Sequence, residues 1–258
     1  MLASLLKEKV RQNRLTLGPM LTLDCWPGYL EIFKSEGMDF AILDMEHGAA
    51  SFRQAEELCR TARLLEFPLL IRPEATLYHI LRKYLDMGPA GFMVPWTERQ
   101  EQIDALREAV FLPPKGKRGP GGPSILANRS LDRQGWDEIE SSLFLMPQFE
   151  SPAGIQNLRS LVAHEWIDAT MLGPYDLSSN LGHCAQTDHP EVVAAIDQVR
   201  TDSLKAGKPC GMVVGTTEQA KFWMDRGFVF FICSEVSAMV RQQARSLIQG
   251  IRALDRDT

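Results

Sequence analysis

Asp39-Phe40-Ala41-Ile42-Leu43-Asp44-Met45-Glu46-His47-Gly48 decides the fold. Its apolar run, Phe40 to Leu43, ends abruptly in two carboxylates and an imidazole, and a glycine then turns the backbone. Such a run suits a strand buried on both faces, as in a parallel sheet covered by helices. Charged groups crowded onto the exit of a buried strand are costly to hold unless they are paired or at work. In an α/β barrel that exit is the catalytic end.

Working outward, short apolar runs alternate with helical patterns along the whole chain. Leu17–Leu23 reads as a first strand and Pro27–Ser35 as a helix with proline at its start and Gly37 at its end. After strand two, Ser51 opens a helix whose Ala55, Leu58, Ala62 and Leu65 recur at three- and four-residue steps. Strands follow at Phe67–Pro73, Ala90–Pro95, Leu143–Glu150, Asp168–Gly173, Pro209–Val214 and Phe228–Ile232. Helices fall between them at Leu77–Met87, Thr97–Phe111, Gly154–His164, Pro190–Ala206 and Thr217–Arg226, and Val236 to about Leu254 forms the last. Leu112–Ser142 breaks the rhythm as a Gly/Pro-rich loop, a length that usually covers a site or an interface. Eight strands alternating with helices in 258 residues predict a single (β/α)8 barrel domain. A doubly wound sheet is the runner-up, but no Gly-x-Gly-x-x-Gly follows the first strand.

Composition narrows the class. A net charge of −5 without a long Lys/Arg run argues against nucleic acid as a main partner. Five scattered cysteines, with no C-x-x-C, predict reduced thiols in a cytoplasmic protein. Near the start, Leu2, Leu5, Leu6 and Val10 stand among Lys7, Glu8, Lys9 and Arg11, a short amphipathic helix too charged for a signal-peptide core. No run is long and apolar enough to span a membrane.

If the strands hold, their exits bring Glu46, His47, Arg72, Gln148, Glu150 and Asp176 to one rim. Gln148 and Glu150, two apart, share one side of their strand. Glu150 and Asp176 leave adjacent strands, close enough to hold one hard cation such as Mg²⁺ or Mn²⁺; ion-pairing or capping at the rim is the alternative. Arg72 is either a fork for a carboxylate or oxyanion, or one half of a buried salt bridge to Asp44 or Glu46. His47 is the one histidine expected at a strand exit and a candidate acid/base. Lys115, Lys117 and Arg118 suit a flap or interface loop better than a phosphate cradle, since no Gly-Lys-Ser/Thr follows. No lysine falls on a strand inside the barrel, which disfavours Schiff-base chemistry.

At these residues the sequence resembles the HpcH/HpaI family of class II, metal-dependent pyruvate aldolases. The likeness rests on Asp44-Met-Glu-His-Gly48, Ile71-Arg-Pro73, Leu85-Asp-Met-Gly88, Gly91-Phe-Met-Val-Pro95 and Pro113-Pro-Lys-Gly-Lys-Arg-Gly119. Gln148-Phe-Glu150, Gly173-Pro-Tyr-Asp-Leu-Ser178 and Leu181-Gly182 complete it, in order along the chain. The resemblance implies a barrel with an N-terminal capping helix and a C-terminal helix exchanged between subunits, in a homohexamer built as a trimer of swapped dimers. It implies Glu150 and Asp176 as metal ligands, and Arg72, Gln148 and the Gly173–Pro174 backbone as the pyruvate site. His47 is implied as the acid/base, supported by Asp86. Departures fall at the rim: Pro120–Arg129, Trp96 and Ser234-Glu235.

The expected activity is reversible cleavage of a 4-hydroxy-2-oxo acid to pyruvate and an aldehyde, with Mg²⁺, Mn²⁺ or Co²⁺ and no organic cofactor. Oxaloacetate decarboxylation is an expected side activity. A citramalyl- or malyl-CoA-type lyase and a non-catalytic metal-binding barrel are the rivals. At 1.5 Å per residue, the helix carrying Asp86 takes it roughly 15 Å from the rim of Arg72, so Asp86 is expected to reach His47 from a neighbouring subunit.

Overall fold

A computed structural model of the chain describes residues 3–120 and 131–254. Eight parallel strands close into a barrel in sequence order: β1 (Thr16–Leu21), β2 (Ala41–Asp44), β3 (Leu69–Arg72), β4 (Gly91–Val94), β5 (Phe144–Phe149), β6 (Thr170–Leu172), β7 (Cys210–Val214) and β8 (Phe230–Glu235). β2, β3, β4, β5 and β6 are buried along their whole length, as their unbroken apolar runs require. Phe40, Phe144 and Phe230 meet inside the barrel at centroid separations of 5.4 and 6.1 Å. Burying each such ring stabilises the fold by about 1.5–3 kcal/mol.

The base is closed by α1 (Ser4–Arg11), whose Ala3, Leu6 and Val10 flank pack with the inward-facing side chains. Its cations pair with acids that precede strands, Lys9 with Asp39 (2.5 Å) and Lys7 with Asp168 (3.2 Å). The outer helices are α2 (Gly28–Ser35), α3 (Phe52–Leu64), α4 (Tyr78–Met87), α5 (Gln100–Val110), α6 (Arg133–Ser142), α7 (Pro152–Leu161), α8 (Pro174–Asn180), α9 (Pro190–Lys205), α10 (Thr217–Met224) and α11 (Val236–Leu254). Ser51, Ser151 and Thr216 cap α3, α7 and α10, accepting from backbone N–H groups three residues on. Only Val236 of α11 is buried, while Val240, Leu247, Ile251 and Leu254 are exposed.

Two expectations need correcting. The 112–142 stretch is not all loop, because α6 occupies its end. Its inward stripe is only Trp136 and Glu140, and Glu140 is buried because it accepts the Leu112 N–H at 2.7 Å. So polar a stripe carries no periodic apolar signal. Pro174–Asn180 forms a further short helix between β6 and α9. β8 begins later than Phe228 and continues beyond Ile232 through Cys233-Ser234-Glu235, where Glu235 pairs with Met20 of β1 after a register shift between Gly18 and Met20. Gly121–Ser130 of the expected flap lie outside the described residues.

Candidate active site

β2 and β3 run in register, with Asp44 opposite Arg72 at their exits. Asp44 is fully buried, and its Oδ1 and Oδ2 accept from Arg72 Nε (2.8 Å) and Nη2 (2.6 Å). Asp44 also accepts from Thr22 Oγ1 (3.1 Å) and from the Glu46 and His47 amides (3.1 and 3.3 Å), so it shapes the turn that presents His47. Burial opposes ionisation of Asp44, but the Arg72 guanidinium and these donors outweigh it and hold the carboxyl below its ordinary range. Glu46 lies 3.3 Å from Arg72 Nε. Arg72 is therefore tied to both acids that the sequence offered it, with its guanidinium fixed edge-on at the mouth.

Glu150 and Gln148 leave β5 beside this pair. Glu150 Oε1 accepts the Trp96 N–H (2.8 Å), and Oε2 accepts from Gln148 Nε2 (2.8 Å). Trp96 adopts φ 46°, a left-handed conformation rare outside glycine, directly before that contact. Burial pushes the Glu150 carboxyl up to about 8; the Trp96 N–H opposes this, and the charges of Asp176 and Glu46 add to it. Gln148 Oε1 is buried without a partner. A Cβ on Gly173 would lie 2.1 Å from Glu150 Oε2 and 2.7 Å from Gln148 Nε2, so only glycine leaves that space open.

Asp176 lies in the first turn of α8. The Gly173 amide already donates to Phe149 O (3.2 Å) and Pro174 has no N–H, so neither offers the expected backbone donor. The first amide of α8 taken within the helix is Leu177, which leaves those of Tyr175 and Asp176 facing outward. His47 is exposed, with Nε2 3.7 Å from Glu46 Oε2. Asp86, on α4, instead pairs with Arg82 and lies 3.7 Å from buried Arg118. No contact joins it to His47 within the described residues.

The charges of Asp176 and Glu46 thus act on buried Glu150 at the mouth, with an orphaned carbonyl on Gln148 and an open space at Gly173 beside it. A hard divalent cation fits that set by its charge and its oxygen donors. Sequence reasoning gave too little weight to Asp44, which it treated only as an alternative partner for Arg72, and to the Trp96 amide. The signal for Asp44 was its place as the last residue of a fully buried strand. The loop cations are engaged elsewhere: Lys117 with Glu108 (2.6 Å), Lys115 over the Phe111 ring, and Arg118 over the Trp136 ring. On the connection to α9, His183 Nε2 contacts Glu191 Oε2 (2.8 Å) while His189 caps the helix, so that pair serves the loop.

Closed parallel barrels with acids and an arginine at the strand exits include carbon–carbon lyases. The model of the HpcH/HpaI aldolase/citrate lyase family matches residues 26–233, and the chain belongs to that family. The chain is similar to the 2-dehydro-3,6-dideoxy-6-sulfogluconate aldolase of Pseudomonas putida, 29% identical, covering 84% of this chain and 85% of that protein. It is 30% identical to a hydroxypyruvate/pyruvate aldolase of Delftia acidovorans, covering 88% of this chain and 87% of that one. The solved HpcH/HpaI aldolase of Desulfitobacterium hafniense superposes with a TM-score of 0.88 over 96% of both chains at 26% identity. The protein is a carbon–carbon lyase acting on small molecules. No described helix is long and apolar enough to cross a membrane.

Proposed function

We propose that the protein cleaves a 4-hydroxy-2-oxo acid reversibly to pyruvate and an aldehyde, with Glu150 and Asp176 holding a divalent cation. The observation that carries this reading is the desolvated Glu150 carboxyl, crowded by Asp176 and Glu46 beside a fixed guanidinium. Bound there, the cation supplies Lewis-acid charge to the carbonyl end of the keto acid. Arg72 adds a second positive charge where the C2 oxygen becomes anionic. Gln148 and the outward amides of Tyr175 and Asp176 are the donors for the C1 carboxylate. His47 takes the proton of the C4 hydroxyl as the C3–C4 bond breaks, its electron pair passing toward C2, and C3 is then protonated to give the methyl of pyruvate.

The uncovered apolar face of α11 supports an exchanged helix in a homo-oligomer, with the hexamer as the expected form. In such an assembly Asp86 of one chain orients His47 of the next. Mg²⁺ and Mn²⁺ suit the all-oxygen donor set, and Co²⁺ is tolerated. The test is pyruvate with a panel of aldehydes, each metal being compared with a chelated control. Metal-dependent aldol formation is expected, accompanied by oxaloacetate decarboxylation through the same enolate. Undiminished turnover after thorough chelation would overturn the metal assignment.

A further inference from the structure

A cleft of about 660 Å³ opens beside the site, between the ends of β1, β7 and β8 and the connection from α8 to α9. It starts where the keto acid would end. Met20, on its wall, has Sδ 3.6 Å from Arg72 Nη2, and Pro174 and Tyr175 on the same wall directly precede Asp176. Its body is apolar, with Val214, Phe222, Trp223 and Ile232. The ionisable side chains that reach it are Asp188, Glu218, Glu235 and the Tyr175 phenol, and among the described residues no lysine, arginine or histidine lines it.

Glu235 is held at the end of β8, just after Ser234 at φ 63°. Its Oε2 accepts from the amides of Ser237 (2.8 Å) and Ala238 (3.2 Å), capping α11. Its Oε1 is buried, and the Leu23 N–H lies near the carboxylate, so Glu235 is held as an acceptor-only group at the cleft wall.

We infer that this cleft is the acceptor subsite and that it selects uncharged, hydroxyl-bearing aldehydes, rejecting those whose far end is a carboxylate, sulfonate or phosphate. The inference rests on the aldolase reading above and names the substrate class of that same site. An anionic tail entering the cleft meets three lining carboxylates, with the nearest guanidiniums set back behind the wall, Arg226 on the Phe222 ring and Arg72 behind Met20; the like-charge juxtaposition works against the wrong partner. A hydroxylated tail instead brings donors to the carboxylates that line the cleft while its carbons lie on Phe222 and Trp223.

The experiment has two arms. Metal-dependent exchange of the pyruvate methyl protons in D₂O, with no aldehyde present, reads enolate formation alone; its absence overturns the aldolase reading and this inference with it. With exchange established, kcat/KM for addition of pyruvate to glyceraldehyde, butanal and succinic semialdehyde reads the acceptor subsite. Glyceraldehyde is expected to exceed succinic semialdehyde by roughly tenfold or more, with butanal between them. Glu235→Gln is expected to narrow the glyceraldehyde-to-succinic semialdehyde ratio at least threefold, mainly by raising the anionic aldehyde. The double variant Asp188→Asn/Glu218→Gln, which leaves the α11 cap intact, is expected to narrow it in the same direction. Equal or better use of succinic semialdehyde by the unmodified protein overturns the inference, as does a ratio unmoved in both variants.

Discussion

Metal affinity should depend on pH through one proton. The Glu150 carboxyl is raised to about 8 by burial and by the neighbouring charges of Asp176 and Glu46. In the metal-free protein only about one molecule in ten is ionised there at pH 7, and about one in a hundred at pH 6. The cation binds the ionised form, so its Kd should tighten about tenfold from pH 6 to 7 and level off above pH 8. About one proton should be released per cation bound at pH 7. Titration calorimetry with Mn²⁺ in two buffers of different ionisation heat measures both quantities. The same shift fixes a sign for stability. A carboxyl raised on folding favours the fold at low pH, so the metal-free protein loses stability as pH climbs from the ordinary glutamate range through 8. Added Mn²⁺ should therefore raise Tm more at pH 8 than at pH 6. An affinity flat between pH 6 and 7.5, with no proton released, would show that Glu150 is already ionised and that the crowding argument is wrong.

Other perturbations separate the roles at the mouth. Asp44→Ala strips buried Arg72 of its two shortest bonds, and urea unfolding should show a loss of about 3 kcal/mol, against a smaller loss for Asp44→Asn; under 1 kcal/mol for the alanine variant would deny the pair its structural role. Gly173→Ala places a methyl 2.1 Å from Glu150 Oε2, so Mn²⁺ affinity should fall by roughly tenfold or more in a folded protein, and unchanged binding would mean that Glu150 moves freely. His47→Ala should slow aldol cleavage far more than oxaloacetate decarboxylation, which needs no proton taken from a C4 hydroxyl; equal losses would remove His47 from that step. Mixing His47→Ala and Asp86→Ala chains should restore part of the activity that each lacks alone, and no recovery in mixed oligomers would confine Asp86 to its ion pairs with Arg82 and Arg118.

The barrel was legible because parallel strands leave a blunt trace. Ile42-Leu43 and Leu70-Ile71 are buried on both faces, and their exits are marked by Asp44 and Arg72, which lie opposite one another in register. The acids and the arginine of the mouth could be placed on one rim from strand order alone. What stayed hidden depends on backbone geometry or on polar burial. The Trp96 amide reaches Glu150 from a turn in which Trp96 is left-handed, and no periodicity records either feature. Residue order likewise does not record that the Gly173 amide is taken by Phe149 O, while Pro174 has none to offer. α6 escaped because its inward face is held by a carboxylate, Glu140, which reads as surface in a sequence. The acidic cleft was missed because β8 carries its strand pairing three residues past the last aliphatic side chain, to Glu235.

The two ends of the barrel handle charge in opposite ways. At the base, Asp39 and Asp168 each meet cations carried on α1, so the acids there are matched from within the chain. At the mouth, Arg72 is the one guanidinium acting on Asp44, Glu46 and Glu150, and its short bonds go to Asp44. Glu150 has no fixed cation of its own, and burial first, with the charges of Asp176 and Glu46 added, pushes its carboxyl up to about 8. Matching Glu150 with a lysine or arginine would quiet the site electrostatically, but would fill the space that Gly173 leaves open beside it. A divalent ion held by Glu150 and Asp176 would satisfy both requirements: it would offset their charge without occupying a side chain's place, and would supply Lewis-acid character to a substrate oxygen. The shortage of positive charge at this end is therefore the physical basis for the chemistry proposed there.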